Sequence, residues 1–207
     1  MRNLLILLAL LLTVAAHGQS DEAMMLKETV LQTYGSLVSF QASFVQTNNW
    51  PELEKSLVSE GMLSYNRERV LLRYSEPSGH ILLALPSSIH MWDPNANREI
   101  ILAPDELAGR LRPVDIVEYY AEGAQLSVER EEGLRVLRIV PTEEKDLLQL
   151  RVFWNDALSR IDALSYEDAE GNQVEYRFSR QEFNPQLADS VFDIALPQDR
   201  DILDTRQ

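Results

Sequence analysis

Apolar residues follow three regimes along the chain. Leu4 to Val14 form one apolar run. From Ala23 onward the apolar positions are Ala23, Leu26, Val30, Tyr34 and Leu37, the spacing of one helical face. Ser20 is placed to cap that helix, Asp21 and Glu22 fall in its first turn, and Gly35-Ser36 weakens its end. From Phe40 the period becomes two: Phe40, Ala42, Phe44 and Gln46 share one face, and Gln41, Ser43 and Val45 the other. Further strands are predicted at Ser56–Tyr65, Val70–Tyr74, His80–Leu85, Ile89–Trp92 and Glu99–Leu102. Turn residues separate them at Asn48-Asn49, Asn66-Arg67-Glu68, Pro77-Ser78-Gly79, Pro86 and Asp93-Pro94-Asn95.

The middle of the chain returns to helical spacing. Pro104–Arg110 and Pro113–Ala121 are predicted as short helices. Pro113 suits a first turn, and Val114, Ile116, Val117 and Tyr120 supply an apolar stripe. Strands resume at Gln125–Glu131, Leu134–Val140, Leu147–Trp154, Arg160–Glu167 and Val174–Phe183, with hairpin turns at Glu132-Gly133 and Glu170-Gly171-Asn172. A last strand is predicted at Val191–Leu196. The sum is a mainly β fold with α elements, in which an N-terminal helix and about six strands precede a helical insertion and about six more strands. One sheet of that width must curl. With helices on its concave face it becomes an incomplete antiparallel β-barrel, a half-barrel with a helical lid over an apolar cavity.

The first apolar run changes the picture of where the chain works. Arg2 precedes about 11 residues of the run, and small residues follow at Ala15, Ala16 and Gly18. That is the pattern of a secretory signal, with cleavage expected after Ala16 or Gly18. The run is shorter than the roughly 18–20 apolar residues of a membrane span. Residues 1–18 are therefore expected to be a signal peptide and 19–207 a single domain. The chain has no Cys, which excludes disulfides, thiolate metal sites and a lipid anchor on cysteine. Its net charge is −14, and loss of Arg2 leaves 18 basic against 33 acidic side chains. Such a field repels nucleic acid and anionic lipid surfaces, so no nucleic-acid partner is expected.

Candidate chemistry is sparse. His17 falls at the signal boundary, and His80 and His90 stand ten apart without an H-x-H or H-x-x-x-H spacing. No G-x-S-x-G, Gly-rich phosphate loop or H-E-x-x-H occurs. Glu131-Glu132, Glu143-Glu144 and Asp199-Arg200-Asp201 fit solvated faces and turns. Glu167–Asn172 lacks the spacing and terminal Glu of a calcium loop and fits a hairpin tip. The expectation is a protein that is not an enzyme and takes no cofactor or metal. The apolar strand residues carry more: Phe40, Phe44, Met62, Leu72, Tyr74, Leu83, Met91, Trp92, Val152 and Trp154. They form either an ordinary core or an adaptable surface for flexible chains, the latter suited to Met and Trp. Spacing alone leaves open whether the space inside is filled.

Several segments, in order, resemble the periplasmic outer-membrane lipoprotein carrier family, the LolA-like proteins. Ser39–Gln46 resembles an early F-x-x-x-F-x-Q strand. Gly61-Met62-Leu63 followed by Arg67, Val70, Tyr74 and Pro77 resembles a G-x-L … R-P … W-x-Y-x-x-P stretch. Met91-Trp92-Asp93-Pro94 resembles a W-x-Y-D-P turn. Asp168–Asn172 with Val174, Tyr176 and Phe178 resembles a D-x-x-G-N … Y-x-F hairpin. Asn184–Pro197 resembles N-x-x-L-x-D-x-x-F-x-F-x-x-P, and Asp201–Asp204 fits the ending beyond it.

The resemblance implies an open half-barrel with a helical lid and a carrier that does no covalent chemistry. Such a carrier accepts the acyl chains of a lipoprotein from an inner-membrane ABC transporter, crosses the periplasm and passes them to an outer-membrane receptor. Its partners would be acylated lipoproteins or another lipid, and a monomer is the default for a shuttle. Phe40, Phe44, Met62, Leu72, Tyr74, Leu83, Met91 and Trp92 would line the acyl cavity, Ile116, Val117 and Tyr120 the lid side, and Arg67 would be the lid latch. Arg67 is followed by Glu68 where the family pattern has Pro, and Arg69 and Arg73 compete for the role. The alternatives are a lipid-sensing periplasmic binding module or a carrier of another lipid with the same half-barrel, and an exported hydrolase using carboxylates.

Overall fold

The computed structural model describes residues 21–104, 111–142 and 146–206. The signal expected at 1–18, most of the helix expected over Pro104–Arg110, and the Glu143-Glu144 pair lie outside the described residues. Helix α1 covers 21–35. It buries Ala23, Leu26, Val30 and Tyr34, the stripe that its spacing requires, and leaves Asp21, Glu28 and Gln32 in solvent.

The strands are β1 (Ser39–Trp50), β2 (Lys55–Asn66), β3 (Val70–Glu76), β4 (Ile81–Leu85), β5 (Ser88–Asp93), β6 (Arg98–Leu102), β7 (Gln125–Glu131), β8 (Leu134–Val140), β9 (Leu147–Asn155), β10 (Arg160–Asp168), β11 (Gln173–Phe183) and β12 (Asp201–Asp204). Helix α2 (Pro113–Ala121) crosses between β6 and β7. One open sheet runs in the order β12-β6-β5-β4-β3-β2-β1-β11-β10-β9-β8-β7. The chain is thus two meanders joined where β1 pairs antiparallel with β11, Phe44 opposite Phe178. Tight turns follow the local chemistry: Glu132 and Gly133 both take positive φ, 50° and 82°, as a two-residue hairpin requires.

The inner face carries the main core. Phe40, Ala42 and Phe44 of β1, Leu63 and Tyr65 of β2, Val152 and Trp154 of β9, and Ile161 and Leu164 of β10 form one cluster with the buried stripes of both helices. Burial of each large side chain is worth about 1.5–3 kcal/mol. A register shift between Ile161 and Ala163 breaks the β9–β10 ladder. The Ile161 N–H instead donates to the Tyr34 hydroxyl at 2.9 Å, and Tyr34 donates to Gln181 Oε1 at 2.9 Å. The bulge therefore creates the polar socket that fixes the end of α1.

The outer face of β3–β5 has a second apolar cluster, Leu71, Ile81, Leu83, Trp92 and Phe192, with Leu187, Val191, Ile194 and Leu196 packed against it. These last residues correct an expectation. The segment predicted as a strand at Val191–Leu196 is a 3-10 turn at Asp189–Phe192 followed by irregular chain, and the last strand is β12, which pairs parallel with β6. The alternation of Phe192, Ile194 and Leu196 is genuine. However, β3, β4 and β5 are already paired on both sides, so a chain lying across their outer face finds no edge to join. It forms a strap over the sheet instead.

Candidate functional site

A cavity of about 270 Å³ opens between the inner face of the sheet and α2. Its floor includes Phe44, Leu63, Leu72, Leu82, Leu164 and Phe178, and Leu111, Pro113 and Ile116 roof it. Phe44 is central. Its ring meets Tyr74 edge-on at 5.2 Å and Tyr176 at 6.0 Å between centroids. Gly61, opposite it on β2, makes room: a Cβ there would stand 2.7 Å from the Phe44 ring and 2.4 Å from the Arg73 carbonyl.

Polar side chains also line the cavity. Tyr74, Tyr166 and Tyr176 come from β3, β10 and β11, Tyr120 from α2, and Asp146 from the start of β9. The Tyr74 hydroxyl donates to Gln46 Oε1 at 3.0 Å, and Gln46 Nε2 donates to Asn48 at 3.0 Å. Burial pushes the phenols of Tyr74, Tyr166 and Tyr176 above their ordinary range. Tyr176 is raised furthest, and its hydrogen bond to Tyr74 partly offsets the rise at Tyr74. All three stay neutral at physiological pH.

Helix α2 is pinned at both ends. At its start Arg112 Nε donates to Asp115 Oδ2 at 2.6 Å in a capping box that includes the Arg112 backbone N–H, and the guanidinium lies 6.0 Å from the Tyr65 ring centroid. At its end the Tyr120 hydroxyl donates to Asp146 Oδ1 at 2.6 Å. Val114 and Val117 bury the stripe between.

Of the residues predicted to line a cavity, the structure brings Phe44, Leu72, Tyr74, Ile116 and Tyr120 to it. Phe40 and Val117 are buried beside it without lining it, and Phe40 stacks on Tyr65 at 5.2 Å. Met62, Leu83, Met91 and Trp92 are elsewhere. Leu83 and Trp92 belong to the outer cluster, and Met62 and Met91 are each 39% exposed. On β4 it is Leu82 that faces the cavity. Arg67 is exposed in the β2–β3 turn. Arg69 pairs with Asp189 and lies 4.5 Å over the Phe192 ring, and Arg73 reaches the Asp193 carbonyl at 3.5 Å, so both hold the strap and not the lid. The lid's own arginine, Arg112, was not anticipated. Its signal was the Arg-Pro-x-Asp pattern of a helix start. Tyr166, Tyr176, Phe178 and Leu164 were also missed as lining residues, although the alternation along β10 and β11 places them on the inner face.

The histidines serve the frame. His80 Nε2 stands 3.1 Å from Asp93 Oδ1, and His90 bridges Ser88 Oγ at 2.8 Å and the buried Glu99 Oε1 at 2.7 Å. Among the described residues no group of three or more His, Asp or Glu side chains could hold a metal ion. None of the described helices is long and apolar enough to cross a membrane.

A wide open sheet under two helices, with an apolar pocket beneath α2, is a half-barrel with an apolar interior. The chain belongs to the family described as outer membrane lipoprotein carrier protein LolA, whose model matches residues 35–195. No curated protein matches it. Solved structures share the fold at low identity. An uncharacterized conserved protein from Thermus thermophilus is 10% identical over 88% of this chain and 99% of that one, with a TM-score of 0.56. A DUF1329 family protein from Desulfovibrio piger is 11% identical over 84% and 97%, with a TM-score of 0.51. The Pseudomonas aeruginosa MucA/MucB complex contains a chain 13% identical over 84% of this one and 61% of its own length, with a TM-score of 0.50.

Proposed function

We propose that the protein is an exported periplasmic carrier that holds acyl chains of lipoproteins in the cavity under α2 and moves them from the inner to the outer membrane. The observation that carries this is the apolar pocket roofed by a pinned helix in a chain of the LolA family. Its work is shielding, with no covalent step. Each buried methylene gains about 0.8 kcal/mol, so acyl chains leave a membrane only into such a shelter. The carrier would receive its cargo from an inner-membrane ABC transporter and deliver it to an outer-membrane receptor. The roof is held at its ends by the Arg112–Asp115 and Tyr120–Asp146 contacts, and a lid that can part from them suits a site that must release as well as bind.

Native mass spectrometry of protein recovered from the periplasm, followed by lipid extraction, tests this. A bound acylated protein or lipid supports a carrier. Empty protein that also fails to accept a lipoprotein released from inner membranes overturns it. A second reading, a lipid-sensing module that docks on a protein partner, takes support from the MucA/MucB complex, where a similar fold is seen with a second protein. Recovery of a stable protein complex in place of bound lipid would favour it.

A further inference from the structure

Strand β2 is paired along its whole length on one side only. Toward β1 the register is unbroken, from Asn66 opposite Ser39 to Lys55 opposite Trp50. Toward β3 pairing stops at Glu60, because β3 ends at Glu76 and the chain turns through Pro77, Ser78 and Gly79 into β4. Among the described residues nothing pairs with Lys55–Ser59 on that side. We propose that this free edge of β2 takes an added strand, supplied by a basic extended segment of a partner protein. The edge lies outside the cavity under α2 and does not depend on what the cavity holds.

Three observations carry it. First, backbone groups point outward there. The Asn66 N–H donates to the Arg69 carbonyl at 2.9 Å, and the Glu60 carbonyl accepts from Ser75 Oγ at 3.3 Å, so both residues turn their backbone away from β1. That direction alternates along a strand, and Ser56 and Val58 stand in the same phase of an unbroken register. Their N–H and C=O groups therefore face a side with no strand, which is a template for β-addition. Second, the usual guards of an edge are missing. Leu57 and Val58, one on each face, are 48% and 54% exposed, and no proline or charge lies between Lys55 and Glu60. Third, the surrounding charge selects the guest. Glu52, Glu54, Glu60 and Glu76 are exposed, and Glu60 stands directly opposite Glu76 in the ladder, a pairing of like charges that a base would relieve. Lys55 is the one base between Glu52 and Glu60. A second copy of the chain fits poorly. Antiparallel pairing of two copies about Leu57 sets Glu54 against Glu60 at both ends, and pairing about Val58 sets Ser56 against Glu60, which β3 already occupies. A segment of alternating apolar residues flanked by lysine or arginine instead meets acid at both ends and Leu57 and Val58 between them.

The test titrates the mature protein at low salt with a short capped peptide of alternating valine and threonine flanked by lysines, and follows amide exchange. In the free protein the Ser56 and Val58 amides are expected to exchange freely, while those of Leu57 and Ser59, directed toward β1, are protected. The peptide should slow Ser56 and Val58 about tenfold or more. It should bind about tenfold tighter than a glutamate-flanked counterpart, and that preference should fade at high salt. Glu54→Lys combined with Glu60→Lys should invert the preference. The same lysine-flanked peptide N-methylated at alternate residues, which cannot complete a ladder, should not bind, and this control needs no change in the protein. Ser56 and Val58 amides already protected in the free chain, no binding of the unmodified peptide, equal binding of the methylated one, or a preference for the acidic one would overturn the proposal. So would a dimer in sedimentation with those amides protected, which would give the edge to a second copy. None of these outcomes bears on lipid recovered with the protein, so the carrier reading stands or falls separately.

Discussion

Phe44 owes its position to a missing side chain across the strand. Gly61 leaves the gap that its ring fills, and the ring in turn props Tyr74 and Tyr176 in the cavity wall. Gly61→Ala is therefore expected to cost about 1–3 kcal/mol through overpacking against backbone that cannot yield, read as a lower urea midpoint with unchanged slope. Phe44→Ala should cost about 3–5 kcal/mol. Phe44 is only 2% exposed, so a glutamate there would bury an unpaired charge and unfold the domain before it reported on binding. Ile116→Glu is the better probe of the cavity. This residue lines the pocket from the half-buried side of α2, so the variant should fold, by circular dichroism, and lose bound lipid.

The same alternation that revealed the strands hid which residues face the cavity. On β1, Phe44 stands between Ser43 and the exposed Val45, and on β3, Tyr74 stands between the exposed Arg73 and Ser75, so their face could be chosen from sequence. On β4, Ile81-Leu82-Leu83-Ala84-Leu85 is apolar throughout, because the strap covers one side and the cavity the other. A one-residue error of phase exchanges the two faces, which is why Leu83 and Trp92 read as inward from sequence. The fold itself was legible almost strand by strand, since each hairpin carries its own turn residues. The strap was not, because its partner is a sheet face more than a hundred residues earlier. At the level of α2, the Arg112–Asp115 capping box and the Tyr120–Asp146 bond set how readily the roof lifts. Asp115→Ala should remove about 1 kcal/mol of local stability, seen as roughly fivefold faster amide exchange confined to Pro113–Ala121.

Across the whole molecule the two halves of the sheet are held differently. The β7–β11 half has the helices on its inner face, whereas the β3–β6 half depends also on the strap and on β12. Glu99, 2% exposed, ties these together by accepting from Arg200 next to β12 and bonding His90 on β5. Burial raises its pKa, but the hydrogen bonds from His90 and Arg200 outweigh it, and the carboxyl is held below its ordinary 4.5. A lowered folded-state value contributes stability that is fully present above the unfolded-state value and is lost as pH falls through the folded one. The wild-type protein should thus lose stability in acid below about pH 4.5, and Glu99→Gln should be less stable at neutral pH with a shallower acid dependence, measured by urea titration across pH 3–7.

The strap has a consequence for how the chain is made. It is drawn from residues 185–197, so until that segment has emerged Leu71, Ile81, Leu83 and Trp92 lack the cover it gives them. The first meander can zip its hydrogen bonds early, yet it must wait with one greasy side bare for the tail to arrive. A polypeptide delivered amino-terminus first would pass through an adhesive, half-finished stage on every round of synthesis. Its final seal waits for the strap, however early the strands pair.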